Sequence, residues 1–207
     1  KALSKIFLVP LPKKELFDLC YEVVLKVQGV GSGFDIAAAI WGGTLYFVTG
    51  GKKTDPLQID SLPLVVCYSG SKGDTPTLVK GVKKLYEENP KEVGSLFFQS
   101  KEVVEKGKTF LLRKNYKELG ELMNKNHNIL QELKVSTSKL DELVETARNA
   151  GAYGAKLSGA GGGDCIIAIA PEEKRKDIEA ALKKAGGKVL DSRTNEEGAR
   201  IENDTNN

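Results

Sequence analysis

Cysteine, histidine, methionine and tryptophan are scarce in this sequence of 207 residues: three, one, one and one. Cys20, Cys67 and Cys165 lie far apart, inside apolar stretches, and no CxxC spacing exists. That pattern argues against a structural zinc site and for reduced, buried thiols of the kind found in cytosolic proteins. No apolar run approaches the roughly 18 residues that a membrane span needs. The first ten residues lack the layout of a signal peptide, being too short and followed by no small-residue cleavage site. Charge of one sign is also missing in excess: 31 Lys and Arg stand against 28 Asp and Glu, a net +3, with the basic residues scattered. Nothing in that balance points to nucleic acid. Repeats and low-complexity linkers are absent.

What is present is the composition of an ordinary globular chain, 40% hydrophobic and 29% charged, with 22 glycines. A helical pattern covers Lys13 to Val27, and Ala2 to Val9 reads as the tail of an earlier helix. After a flexible break at 29–33, a short Ala-rich helix is expected over Asp35 to Trp41, stopped by Gly42-Gly43. Thr44 to Thr49 alternates like a strand and Gly50-Gly51 turns it. A second unit is expected to begin near Leu62 with a buried-type strand at Leu64 to Tyr68. Thr75-Pro76 reads as a hydroxyl cap followed by proline at the first helical position. Helical faces follow at Leu78–Tyr86, Val93–Leu111, Leu119–Leu133 and Leu140–Ala147, with Asn89-Pro90 ending the first. Cys165 to Ala170 is an apolar strand, Glu172 to Ala185 a helix and Lys188 to Asp191 a last strand. The expected class is α+β.

Three loops could carry chemistry. The first, Ser158-Gly-Ala-Gly-Gly-Gly163, has four glycines in five positions and is read as lying between a helix and a buried strand. Glycine serves where backbone takes positive φ or approaches a ligand closely, and successive N–H groups in such a loop form an anion-binding nest. It is not a GxxxxGK[ST] loop, so a Walker-type site is excluded. The second, Gly31-Ser-Gly-Phe-Asp35, enters a helix. Asp35 stands where a helix cap would sit, and equally where an acid could take or orient the proton of a substrate hydroxyl. The third, Ser69 to Thr77, gathers hydroxyls, Lys72 and a helix N-terminus; it suits an anion, or is a solvated turn. His127 is read as a hydrogen-bonding residue at the core edge, and Trp41 as a packing residue.

Together these loops resemble the GHMP small-molecule kinases. Lys156-Leu-Ser-Gly-Ala-Gly-Gly-Gly-Asp-Cys165 is similar to that family's third motif. Glu118-Leu-Gly-Glu-Leu-Met-Asn-Lys-Asn-His127, Val135-Ser-Thr-Ser-Lys-Leu-Asp-Glu-Leu143 and Arg193-Thr-Asn-Glu-Glu-Gly-Ala-Arg-Ile-Glu202 follow its mevalonate kinase branch in order and spacing. Gly31-Ser-Gly-Phe-Asp-Ile-Ala-Ala-Ala39, Asp74-Thr-Pro-Thr-Leu-Val79 and the Asp164-Cys165 pair look more like its phosphomevalonate kinase branch.

The resemblance implies a ferredoxin-like α/β sandwich at 62–202, a remnant of an S5-domain-2-like N-terminal domain at 1–60, and a polar tail at 203–207. It implies ATP and Mg²⁺ as cofactors and phosphoryl transfer to mevalonate, with phosphomevalonate as the alternative acceptor, in a cytoplasmic enzyme. Asp35 would be catalytic. Gly31, Ser32, Gly33, Ser71, Lys72 and Thr75 would border the substrate, and Ser158, Gly159, Ala160, Gly161, Gly162 and Gly163 the nucleotide. No metal ligand is assigned. The family's main ATP loop, a GLGSSA-type stretch, does not occur, and the chain starts at Lys1; both lead to the expectation of an incomplete kinase that works with an N-terminal half. A homodimer is compatible with the resemblance; neither a nucleic acid nor a membrane partner is expected. The competing class is a non-catalytic fold fragment that binds anions weakly.

Overall fold

The structure is a computed structural model that describes residues 2–201; the polar tail expected at 203–207 lies outside them. The described chain divides into two compact units, 2–61 with 193–201, and 62–192.

The first unit holds helices α1 (Ala2–Ile6), α2 (Lys13–Gln28) and α3 (Phe34–Trp41) and a hairpin of β1 (Thr44–Val48) and β2 (Lys53–Leu57). Its core is Phe17, fully buried, with Ala37 and Ile40 around it. Phe17 stacks on Tyr21 at 5.5 Å and meets Trp41 edge-on at 5.8 Å, which is the packing role read for Trp41. β2 escaped the sequence reading because it is polar and carries Pro56. It forms by antiparallel pairing with β1, Leu45 opposite Pro56, and proline is tolerated on an edge strand.

Residues 193–201 had been expected to belong to the second domain. They pack on the first instead, because their backbone pairs with the end of α3. Gly43 N–H donates to Glu196 O at 2.8 Å, Ala199 N–H to Ala39 O at 2.8 Å, and Gly42 bridges Glu197.

The second unit is an antiparallel sheet in the order β4-β5-β3-β6. Its strands are β3 (Leu64–Tyr68), β4 (Gly154–Leu157), β5 (Cys165–Ile169) and β6 (Lys188–Leu190). The helices are α4 (Thr75–Glu88), α5 (Pro90–Leu112), α6 (Tyr116–Glu132), α7 (Ser138–Asn149) and α8 (Arg175–Lys184). Strand alternation sends Val65, Cys67, Ala155, Leu157, Ile166 and Ala168 to one face, where they join Val93, Leu96, Leu140, Leu143, Val144, Ile178 and Leu182 in one core. Burying each such Leu, Ile or Val contributes roughly 1.5–3 kcal/mol. The expected helix at Glu172–Ala185 opens instead with a 3₁₀ turn, Glu172–Lys174, before α8.

Two cap assignments change. Thr75 is the first residue of α4 and Asp74 occupies the cap position, its carboxylate accepting from the Thr77 hydroxyl. Gly33 caps α3, so Asp35 sits inside the first turn.

β4 also escaped the sequence reading. Gly154, Ala155 and Lys156 have low strand propensity, and tertiary pairing overrides it. β4 pairs with β5 on one side, Leu157 opposite Ile166. Side chains satisfy its other edge: Ala155 N–H donates to Asn124 Oδ1 at 3.0 Å, Leu157 N–H to His127 Nδ1 at 3.3 Å, and Arg148 Nη2 to Ala155 O at 3.0 Å. Glycine faces glycine where α6 crosses β4. A Cβ on Gly154 would lie 1.9 Å from Gly120 O, so the backbones meet with no room for a side chain.

Candidate functional site

The glycine loop follows a strand, not a helix. Residues 158–164 connect β4 to β5, closed by Ser158 N–H donating to Cys165 O at 2.9 Å. Its far end is tied to the third candidate loop. Ser69 N–H donates to Asp164 O at 2.8 Å, Asp164 N–H to Ser71 O at 2.7 Å, and Gly73 N–H to Asp164 Oδ2 at 3.3 Å. Asp164 holds φ 59°, a left-handed conformation that these three bonds stabilise. The structure therefore gathers the residues predicted at Ser158–Gly163 and at Ser71, Lys72 and Thr75 into one cluster at the N-terminal end of α4.

Packing accounts for part of the glycine content. At Gly161 (φ 89°) a Cβ would fall 2.0 Å from Val135 O. Gly162 lies against Leu78 in the first turn of α4 and donates its N–H to Val135 O at 2.8 Å. Gly159 is different: it is exposed, and a Cβ there would meet open space. Among the described residues, the N–H groups of exposed Gly159 and half-buried Ala160 have no acceptor, while Gly161, which closes the turn over 159–160, and Gly163 are buried. Two unpaired donors beside the positive end of a 14-residue helix, with the exposed Lys72 in the adjoining loop, fit an anion such as a phosphate. Ser69 is buried, its hydroxyl within 3.3 Å of Ser71 Oγ, which stiffens that loop.

The second candidate loop lies in the first unit. Gly33 (φ 84°) is buried under aromatic rings, with Phe17 Cζ 3.0 Å from where its Cβ would be, and Gly31 O accepts from Tyr21 Oη at 2.8 Å. Ser32 Oγ accepts from Phe34 N–H at 3.4 Å. These three residues thus have evident roles in shaping the turn into α3. Asp35 is exposed on that first turn, and no hydrogen bond or ion pair engages it among the described residues. Its carboxylate is available to a ligand.

Residues with chemistry that sequence reasoning left aside also surface. Lys156, on the face of β4 opposite Ala155 and Leu157, donates to Leu157 O at 2.6 Å, and burial pushes its ammonium down to about 8. The signal was its place in the alternation of Ala155, Lys156 and Leu157, legible only once β4 is recognised. His127 is only 1% exposed and burial lowers its pKa, so the ring stays neutral; it is the hydrogen-bonding residue that the sequence suggested. The cysteines are free: Cys67 is buried, its thiol pushed up to about 11 by burial, while Cys20 and Cys165 are half-buried. Among the described residues no group of three or more His, Cys, Asp or Glu is placed to hold a metal ion.

Residues 108–188 match the family described as GHMP kinases C terminal. The mevalonate kinase of Pyrococcus horikoshii is 46% identical over 97% of this chain, which spans 61% of that protein. The chain thus covers less than two thirds of the curated relatives it matches. The crystal structure of L. major mevalonate kinase in complex with R-mevalonate superposes with a TM-score of 0.78 at 30% identity, covering 88% of this chain and 57% of that one. Streptococcus pneumoniae phosphomevalonate kinase in complex with phosphomevalonate and AMPPNP shares the fold, with a TM-score of 0.77 at 21% identity over 93% of this chain and 64% of that one. The motif, the sheet with its helices and these relatives agree: residues 108–188 carry the C-terminal domain of the GHMP kinases, within a chain that has their fold.

Proposed function

We propose that this chain is part of a cytoplasmic kinase that moves the γ-phosphoryl group of ATP to the hydroxyl of mevalonate. The carrying observation is 46% identity to a mevalonate kinase along 97% of the chain. The unpaired donors of the glycine loop support it. ATP, when bound, supplies the phosphoryl group, and such transfer depends mainly on positioning and charge stabilisation. In this reading Gly159 and Ala160 donate N–H groups to phosphate oxygens, Gly161, Gly162 and Gly163 hold the loop in shape beneath them, and Ser158 borders them. Lys72, Ser71 and Thr75 add positive charge and hydroxyls at the same end of α4. Asp35 orients the acceptor hydroxyl and takes its proton, with Gly31, Ser32 and Gly33 holding the turn that presents it. The described side chains gather no ligand set for Mg²⁺, so none is given a role in holding it.

Residues 1–60 would be the end of the family's N-terminal domain, and an N-terminal half would complete the enzyme. Phosphomevalonate is the second acceptor to weigh, on the motif at Gly31–Ala39. A coupled ADP-release assay on the full-length kinase compares the two. Release with mevalonate is expected; release with phosphomevalonate alone assigns the other acceptor, and none with either leaves a non-catalytic anion-binding fragment.

A further inference from the structure

His127 does more than fill the core, because both of its ring nitrogens are engaged and each leads to one flank of the glycine loop. Nδ1 accepts from Leu157 N–H at 3.3 Å, immediately before Ser158. Nδ1 therefore carries no proton, and in the neutral ring Nε2 does. Nε2–H donates to Asp141 Oδ1 at 3.0 Å. The same carboxylate oxygen accepts from the Ser136 hydroxyl. Ser136 follows Val135, whose carbonyl takes the Gly162 N–H at 2.8 Å and limits the space at Gly161. Thr137 then caps α7, its hydroxyl accepting from Leu140 N–H at 3.2 Å, so the 135–137 turn is anchored to the helix that carries Asp141.

One side chain of α6, one of α7 and one turn hydroxyl thus join the two points from which the loop hangs. We propose that His127, Asp141 and Ser136 are a positioning relay that sets the glycine loop for nucleotide phosphate, holding Leu157 on one flank and Val135 on the other. The proposal rests on the kinase reading above. A buried network of this kind fixes geometry because each member has partners only in one arrangement. Displacing a loop by a fraction of an ångström weakens its N–H contacts to phosphate together while leaving the acceptor's contacts alone.

The test uses the full-length kinase and the variants Asp141→Ala, Asp141→Asn, His127→Asn and His127→Gln. Asparagine at 141 keeps an oxygen that can accept from both His127 and Ser136. Asparagine at 127 can still accept from Leu157 N–H, whereas glutamine reaches toward Asp141 and gives up that contact. Two readouts are taken, amide hydrogen exchange at Ser158 and Gly162, the loop amides bonded to Cys165 O and Val135 O, and KM for ATP and mevalonate separately. In Asp141→Ala and His127→Gln the exchange is expected to speed up about tenfold within the loop, with α8 and the β1–β2 hairpin unchanged. KM for ATP rises about tenfold and KM for mevalonate stays within about twofold. Asp141→Asn restores most of both, and His127→Asn, which keeps the Leu157 bond but loses the one to Asp141, restores only part. Unchanged loop exchange and unchanged KM for ATP in folded Asp141→Ala and His127→Gln overturn the relay, as does an equal loss across the whole second unit. If the unsubstituted protein transfers no phosphate, the kinase reading fails, and the exchange arm alone still decides the relay.

Discussion

Asp35 and Lys156 are opposite cases of a charged side chain whose surroundings decide its use. Asp35 is exposed and unengaged on the first turn of α3, which leaves its oxygens for a ligand. Asp35→Asn keeps the shape and removes the base, so kcat should fall by about a hundredfold or more while KM for ATP holds; steady-state kinetics on the full-length kinase check this, and an active variant removes Asp35 from the chemistry. Lys156 is half-buried, its ammonium donating to one carbonyl. Burial holds its pKa at about 8 against an ordinary 10.5. Between those values the unfolded chain binds more protons than the folded one, so stability rises with pH across that window, and below it the full penalty is present. Lys156→Met should raise stability at pH 7 by about 1–3 kcal/mol, with the gain shrinking above pH 8. Denaturant melts at pH 7 and pH 10 measure it; a destabilised variant at pH 7 would show that the ammonium is better satisfied than its single bond suggests.

At the scale of elements, the contact between α6 and β4 fixes where the glycine loop starts. Gly154→Ala forces the strand off the helix, because its Cβ would overlap Gly120 O. The expected cost is about 1–3 kcal/mol, read as a lower midpoint in urea, and a midpoint at the unsubstituted value would contradict the close approach. Elements with strong periodicity were legible from sequence: α5 to α7 carry buried Leu, Val, Ile or Met at helical spacing, α4 lays half-buried Leu78, Val82 and Leu85 against the core, and β3 and β5 are apolar runs. β2 and β4 were not, because neither has strand-forming composition and both exist through a partner, β1 in one case and β5 with Asn124 and His127 in the other. The caps at Thr75 and Asp35 were misplaced by one or two residues for a related reason, since several neighbouring polar groups can serve and tertiary packing chooses among them.

For the molecule as a whole, sequence alone could place the candidate loops but not their company. That Ser158–Gly163 and Ser71–Thr75 form one cluster follows from a β4–β5 hairpin lying beside β3, with Asp164 bonding across to Ser69, Ser71 and Gly73. Equally hidden was the return of residues 193–201 to the first unit, because backbone bonds to Ala39 and Gly43 leave no mark in composition. Among the described residues no helix is long and apolar enough to cross a membrane. The central claim, phosphoryl transfer to mevalonate, is tested most directly by ³¹P NMR of the full-length kinase with ATP and either acceptor. With mevalonate, a new phosphomonoester resonance should grow as the γ-phosphate signal of ATP declines, and phosphomevalonate should give no diphosphate product. Diphosphate formed from phosphomevalonate with no monoester from mevalonate, or an ATP spectrum unchanged by both, would contradict the account.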